Sequence, residues 1–290
     1  METNVRDTAF IIEGGGMRAS YTAGLINVLL DHEIYFDYVA GISAGASCAV
    51  NYLSRDRDRV RRSFVELAAD PEFGGIRSLI RGKGFFNSEY IYETIGREGQ
   101  AMPFDFKAFK ENPACIRIGA WCLEEARVIY FSKDHMESLE DVMKIVRASS
   151  TLPFLMPPTE YRGRVYFDGG LGGGIAIDAA IQDGYRKFFV ILSRPEGYYK
   201  KPLKNPALAK TLLKRRPRLA DAAIERWQNY NRQKEQVIEL AEEGRAYIVY
   251  PADSTVSRNE TDPAVLARNY DKGYEQGAAE VCRWKSFLQG

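Results

Sequence analysis

Residues 38–50 read YVAGISAGASCAV. An apolar run ends at Gly41-Ile42-Ser43-Ala44-Gly45, and small residues follow it. Gly-x-Ser-x-Gly between a strand and a helix presents a serine hydroxyl on a sharp turn, with glycines on both sides relieving the crowding. A serine that only caps the helix would sit at the same place. A nucleophilic serine ordinarily passes its proton to a histidine, yet the chain has only two, His32 and His135. What would activate Ser43 is therefore the first question the sequence poses.

Outward from this stretch the same pattern recurs. Residues 8–12 (TAFII) read as a buried strand that runs into Glu13-Gly14-Gly15-Gly16. From Met17 to His32, Tyr21, Leu25, Val28 and Leu29 recur at helical spacing. Two strands that each enter a helix through a glycine turn predict βαβ units and a parallel sheet. Further on, Arg55–Ala69 reads as one amphipathic helix with Val60, Phe64 and Leu67 inward, and residues 71–112 as short helices forming a cap or insertion. Residues 114–122 and 127–131 predict a hairpin, Ser138–Ser149 a helix with an acidic first turn, and Thr151–Pro158 a rigid loop. A second hairpin spans 159–167 and ends at Asp168-Gly169-Gly170. Strands at 187–193 and 246–250 flank a long helix, Leu219–Glu243, and an amphipathic helix begins at Pro263. No repeat or low-complexity linker divides the chain, which reads as one globule: a core over residues 8–175 and a C-terminal extension, 176–290, packed on the same sheet.

Composition narrows the function classes. With 45% hydrophobic and 27% charged residues the chain is ordinary for a globular protein. A formal net charge of +1 offers no global field for nucleic acid. The four cysteines, Cys48, Cys115, Cys122 and Cys282, have no CxxC spacing, which argues against zinc and for buried free thiols in a reducing compartment. The N-terminus carries no basic-then-apolar leader pattern, and no apolar run approaches the roughly 18 residues of a membrane span. The expectation is a cytoplasmic protein with no metal. The basic clusters at 55–62 and 200–218 admit two readings, solvated faces or peripheral contact with an anionic membrane.

Beside the Ser43 turn, two further constellations carry chemistry. Gly14-Gly15-Gly16-Met17-Arg18-Ala19, between a strand and a helix, aims backbone N–H groups at an approaching anion. It fits an oxyanion hole, a dinucleotide turn or a purely structural turn; the next strand lacks the acidic residue that the nucleotide reading needs. Asp168 follows a strand and opens a glycine-rich loop, as a base would or as a plain Asp-Gly turn would. Arg18 suits an oxyanion or a lipid phosphate, or a helix-surface cation.

Together the segments EGGGMRA, GISAG, ASSTLPFLMPP and YFDGG, in this order, resemble the patatin-like phospholipases of the bacterial soluble type. The resemblance implies a three-layer α/β/α fold with a mainly parallel central sheet. It also implies a cofactor-free serine–aspartate dyad that hydrolyses fatty-acyl esters, phospholipids or lysophospholipids. Matched motif by motif, Ser43 is the nucleophile and Asp168 the base. Gly14, Gly15, Gly16 and Arg18 form the oxyanion hole, Gly41 and Gly45 flank the nucleophile, and Gly169 and Gly170 follow the base. Ala19 stands where many members have glycine. After about residue 175 the resemblance thins, although SRP at 193–195 and VSRNETDP at 256–263 look like features of some bacterial members. Two alternatives stay open: a Ser43–Asp105–His135 triad, and a non-catalytic acyl or nucleotide binder.

Overall fold

The computed structural model describes residues 1–253 and 256–290. The strands Thr8–Ile12 (β1) and Tyr38–Ile42 (β2) are buried at every position, as parallel strands covered on both faces must be. β1 leads through one 3-10 turn, Gly16–Arg18, into the helix Ala19–Asp31 (α1). β2 runs through Ser43 into Ala44–Leu53 (α2). Then come Arg57–Arg62 (α3), Ile76–Ile80 (α4) and Phe106–Glu111 (α5). Cys115–Cys122 (β3) and Arg127–Phe131 (β4) form a hairpin, followed by Leu139–Ser150 (α6). A second hairpin joins Thr159–Tyr161 (β5) to Arg164–Asp168 (β6). The chain continues through Ile177–Gln182 (α7), Lys187–Ile191 (β7) and Pro206–Leu212 (α8). It closes with Pro217–Glu242 (α9), Ala246–Val249 (β8) and Pro263–Gln289 (α10).

One sheet runs in the order β5-β6-β3-β2-β1-β7-β8, with β4 on the other edge of β3. β3, β2, β1, β7 and β8 are mutually parallel, and β4, β5 and β6 are antiparallel additions. Alternation along each strand sorts side chains into two layers. Phe10, Ile12, Val39, Phe189 and Ile191 pack with α1, α2, α6 and α10, whereas Ala9, Ile11, Tyr38, Ala40, Phe188 and Val190 pack with α7 and α9. The fold is a three-layer α/β/α sandwich. α1 and α10 lie unusually close, because a side chain at Gly273 would meet the Tyr21 carbonyl oxygen at 2.1 Å and one at Gly24 the Tyr270 carbonyl at 2.3 Å.

The expected helix over 55–69 is shorter. Asp56 caps α3, the helix stops at Arg62, and a 3-10 turn follows at Leu67–Ala69. Phe64 and Val65 are both buried, and neighbouring helical positions face about 100° apart, so leaving the helix lets both go inward. α8, capped by Asn205 with Pro206 in its first turn, lies in a segment that reads from sequence only as a charge run. Of the four thiols expected to be buried, Cys48 and Cys122 are, but Cys115 and Cys282 are exposed. Among the described residues no helix is long and apolar enough to cross a membrane.

Candidate active site

Ser43 stands between β2 and α2 with φ 57° and ψ −126°, a left-handed conformation that costs a non-glycine residue on the order of 1–3 kcal/mol. The two glycines beside it are obligatory. A Cβ at Gly41 would lie 2.3 Å from the Gly45 carbonyl oxygen, and one at Gly45 2.3 Å from that of Ile12. The turn is therefore pressed against the end of β1, with the N-terminus of α2 behind it. The Ser43 N–H donates to the Ser149 hydroxyl at 2.8 Å.

β3 explains how Asp168 reaches this turn. β2 pairs with β3 up to Ile42↔Gly119, and β6 pairs with it from Ala120↔Asp168 onward. β4 occupies the opposite edge throughout Ile118–Cys122. β2 and β6 thus run head to head along one edge of β3, and their ends meet at the step from Gly119 to Ala120. Across that seam the Ser43 Oγ donates to Asp168 Oδ2 at 2.7 Å, between residues 125 apart in sequence. The other carboxylate oxygen, Oδ1, accepts the Gly170 N–H at 2.6 Å, and Asp168 is only 3% exposed. Its own N–H donates to the Thr151 carbonyl. Gly169 must be glycine, since a Cβ there would sit 2.3 Å from the Gly119 carbonyl oxygen.

The glycine turn after β1 faces the same point. A Cβ on Gly14 would lie 3.0 Å from that of Ser43. The Gly14 N–H is taken by the Gly174 carbonyl and the Met17 N–H by that of Arg258. Gly15 and Gly16 have no acceptor for their N–H groups among the described residues. Glu13 is buried and accepts the Ser193 N–H through Oε2, tying the turn to the end of β7. Arg18 is 9% exposed, so it is no surface cation, and its Nε has no hydrogen-bond partner. Burial first, and Arg194 next, pull its pKa down to about 10.

Two cavities meet at Ser43. One is apolar, roofed by the insertion between α3 and β3: Phe73, Phe86, Met102 and Phe104 close it against Val142, Met143 and Val146 of α6. Glu93 fastens this roof to α6 through Lys144 at 2.7 Å and Arg147. The other, of about 250 Å³, is polar; besides Ser43 and Asp168 it is lined by Glu13, Arg18, Arg194, Lys200, Arg226 and Arg258. α9 supports it. Arg226 donates from Nε to the Gly170 carbonyl at 2.8 Å, and Asn231 holds Lys200 by its backbone N–H and carbonyl.

The histidines are elsewhere. His135 Nδ1 accepts the Ser132 N–H at 3.1 Å and lies edge-on to Phe131. Asp105 caps α5 through the Ala108 N–H. Neither lines a cavity at Ser43, and His32 is exposed at the end of α1. The alternative triad is therefore corrected: its histidine and aspartate serve as local caps. Sequence reasoning missed Ser149 and the cations Arg194, Lys200, Arg226 and Arg258. A signal for four of them was visible: Ser149 lies in the ASSTLPFLMPP segment, Arg194 in SRP, Lys200 at the start of the 200–218 basic cluster and Arg258 in VSRNETDP.

A family model for patatin-like phospholipase matches residues 10–181, and a domain of unknown function (DUF6363) matches residues 216–289. The chain belongs to the patatin-like phospholipase family. It is 22% identical over 196 residues to the uncharacterized protein YjjU of Escherichia coli K12, a match covering 67% of this chain and 54% of that protein. The chain thus spans about half the length of this curated relative. Its fold is similar to that in the crystal structure of VipD from Legionella pneumophila, with a TM-score of 0.51 and 12% identity, over 97% of this chain and 66% of that one.

Proposed function

We propose that the protein is a serine hydrolase of fatty-acyl esters, phospholipids or lysophospholipids, working through Ser43 and Asp168 without a histidine. The observation that carries this reading is the 2.7 Å hydrogen bond from the Ser43 hydroxyl to the Asp168 carboxylate, on a strained turn at the mouth of an apolar cavity. With the acyl chain in that cavity, the Ser43 oxygen attacks the ester carbonyl while Asp168 takes its proton. The oxygen that becomes negative is met by the N–H groups of Gly15 and Gly16, and each such donor is worth about 3–4 kcal/mol in comparable sites. The proton passes to the departing alcohol and leaves an acyl-serine. Water, deprotonated by Asp168, then releases the fatty acid. In this reading residues 8–175 are the catalytic core, and 176–290 complete its polar cavity.

The enzyme would work at a cytoplasmic membrane surface without crossing it. Leu203, Leu208 and Leu212 are exposed around α8 beside exposed lysines, and Phe154, 62% exposed, shares a shallow depression with Leu203. Such a mixture suits contact with anionic lipid. The 55–62 cluster does not, because Arg57 pairs with Asp31 and Arg61 with Glu66, and Arg59 binds Asn51. The test is labelling with a fluorophosphonate probe together with hydrolysis of p-nitrophenyl esters of increasing chain length. Labelling at Ser43 that Ser43→Ala abolishes is expected; an unlabelled protein, or an unchanged rate in the variant, would end the hydrolase reading.

A further inference from the structure

The polar cavity brings five cations, Arg18, Arg194, Lys200, Arg226 and Arg258, together with two carboxylates, Glu13 and Asp168. Both carboxylates already have partners: Asp168 binds Ser43 and Gly170, and Glu13 binds the Ser193 N–H. None of the five cations is in an ion pair among the described residues, and buried Arg18 keeps a partnerless Nε. Arg18 is buried, Arg194, Lys200 and Arg226 are half-buried and Arg258 is exposed; five cations against two carboxylates leave an excess of positive charge that is costly to assemble where it is buried. The protein assembles them deliberately. The Lys234 ammonium donates to the Tyr198 carbonyl at 2.7 Å, and Asn231 grips Lys200, so α9 holds the loop carrying Arg194 and Lys200 over the cavity. Arg258 is set over the glycine turn by the Met17 N–H on its carbonyl.

We infer that this cavity is a subsite for a phosphate monoester carried on the alcohol side of the substrate ester, so that the preferred substrate is an acyl glycerol phosphate. The inference rests on the hydrolase reading of Ser43. Ser43 lines both cavities, so a substrate whose ester carbonyl lies at Ser43 directs its acyl chain into the apolar cavity and its alcohol into the cationic one. A dianionic phosphate offers three acceptor oxygens to guanidinium and ammonium donors, the pairing these groups favour. A choline headgroup would not be welcomed. The aromatic faces that could hold a quaternary ammonium are already covered from within: Arg194 lies 4.4 Å over the Tyr198 ring and Lys200 4.1 Å over that of Tyr230. Burial first, and Arg226 next, hold the Lys200 ammonium down at about 7 against the pull of Glu13 and Asp168, and a bound anion would favour its charged form. Arg194 and Arg258 thereby give SRP and VSRNETDP a common purpose.

The test compares three substrates with one acyl chain in neutral detergent micelles: 1-oleoylglycerol 3-phosphate, 1-oleoylglycerol and 1-oleoylglycerophosphocholine. The full chain should hydrolyse the phosphate monoester with a kcat/KM at least tenfold above the other two. In Arg194→Gln/Lys200→Gln that ratio should collapse to within about twofold, whereas Lys200→Arg should keep it. The ratio is internal to each protein, so a general loss of activity does not imitate the effect, and a thermal melt checks folding. Comparable kcat/KM values for the three substrates would overturn the inference while leaving the hydrolase reading intact. So would inhibition of p-nitrophenyl butyrate hydrolysis by inorganic phosphate without any preference among the three, which would indicate a site for the free anion. If no ester is hydrolysed, calorimetry on the Ser43→Ala protein still decides: it must bind 1-oleoylglycerol 3-phosphate at least tenfold more tightly than 1-oleoylglycerol.

Discussion

The Ser149 hydroxyl accepts the Ser43 N–H at 2.8 Å and donates to the Gly119 carbonyl at 2.6 Å. One side chain from α6 thus closes the seam at which β2 and β6 both end. Ser149 is fully buried, and its removal strands a donor and an acceptor together. Ser149→Ala should cost about 2 kcal/mol in a denaturant titration. It should also lower kcat roughly tenfold on a short-chain ester, through loosened placement of Ser43. Unaltered kcat would separate the seam from catalysis.

Backbone strain at Ser43 predicts an inverted order of stability. Glycine is ordinarily less stable than alanine by about 0.5–1 kcal/mol within regular structure. At φ 57°, ψ −126° glycine fits and alanine does not, so Ser43→Gly should be more stable than Ser43→Ala by about 1 kcal/mol. Both proteins should be inactive. The difference in urea midpoints at equal m-values reads the strain directly.

Exchanging the proton acceptor separates carboxylate from histidine. Asp168→Asn keeps the side-chain shape and should lower kcat/KM about a hundredfold or more, the range for losing a general base. His135→Ala should keep kcat/KM within about twofold and cost about 1 kcal/mol, since it deletes the acceptor of the Ser132 N–H. A well-folded but inactive His135→Ala protein would reverse the assignment.

Lys200 links pH to both stability and binding. It faces Arg226 of α9, Arg18, Arg194, Arg258, Glu13, Asp168, Tyr198 and Tyr230 in the cavity. Its pKa is lowered to about 7, chiefly by burial, from about 10.4 in the unfolded chain. The folded state therefore binds fewer protons than the unfolded state between these values, and stability attributable to this group rises with pH across that window. Below pH 7 the lysine is charged and the penalty is fully present. Lys200→Met should consequently raise Tm by about 2 °C or more at pH 6, and by less at pH 9. For a phosphate monoester, whose second ionisation at about pH 6 is largely complete above pH 7, the sign reverses, and KM should climb from pH 7 to pH 9 as the ammonium is lost. A flat KM over pH 7–9 would disconnect Lys200 from the headgroup.

What the sequence disclosed follows from which signals are local. β1, β2 and their glycine turns are legible because a strand buried on both faces is a continuous apolar run, and because the turn after it requires glycine. Ser43 and Asp168 stand out for the same reason. Their meeting does not, because it depends on where β2 and β6 stop along β3, a register written in no single segment. The cationic cavity is illegible for a related reason. Arg18, Arg194, Lys200, Arg226 and Arg258 come from separate segments, and no motif that holds one of them says that it meets the others. The expected helix over 55–69 is cut short at Arg62 because inward residues at helical spacing are buried here by turns as well.

The head-to-head meeting of β2 and β6 on β3 also bears on how the chain is made. Ser43 leaves the ribosome long before Asp168, and the two are brought together only after a parallel pairing and an antiparallel pairing have both formed on one strand. Closing so large a loop is among the slower steps of assembling a sheet. If Asp168 is the base proposed above, a nascent or half-folded chain carries a serine with no base beside it, and hydrolytic power would arrive only with the finished sheet. For an enzyme whose proposed substrates are the cell's own lipids, topology itself acts as a safety catch during synthesis.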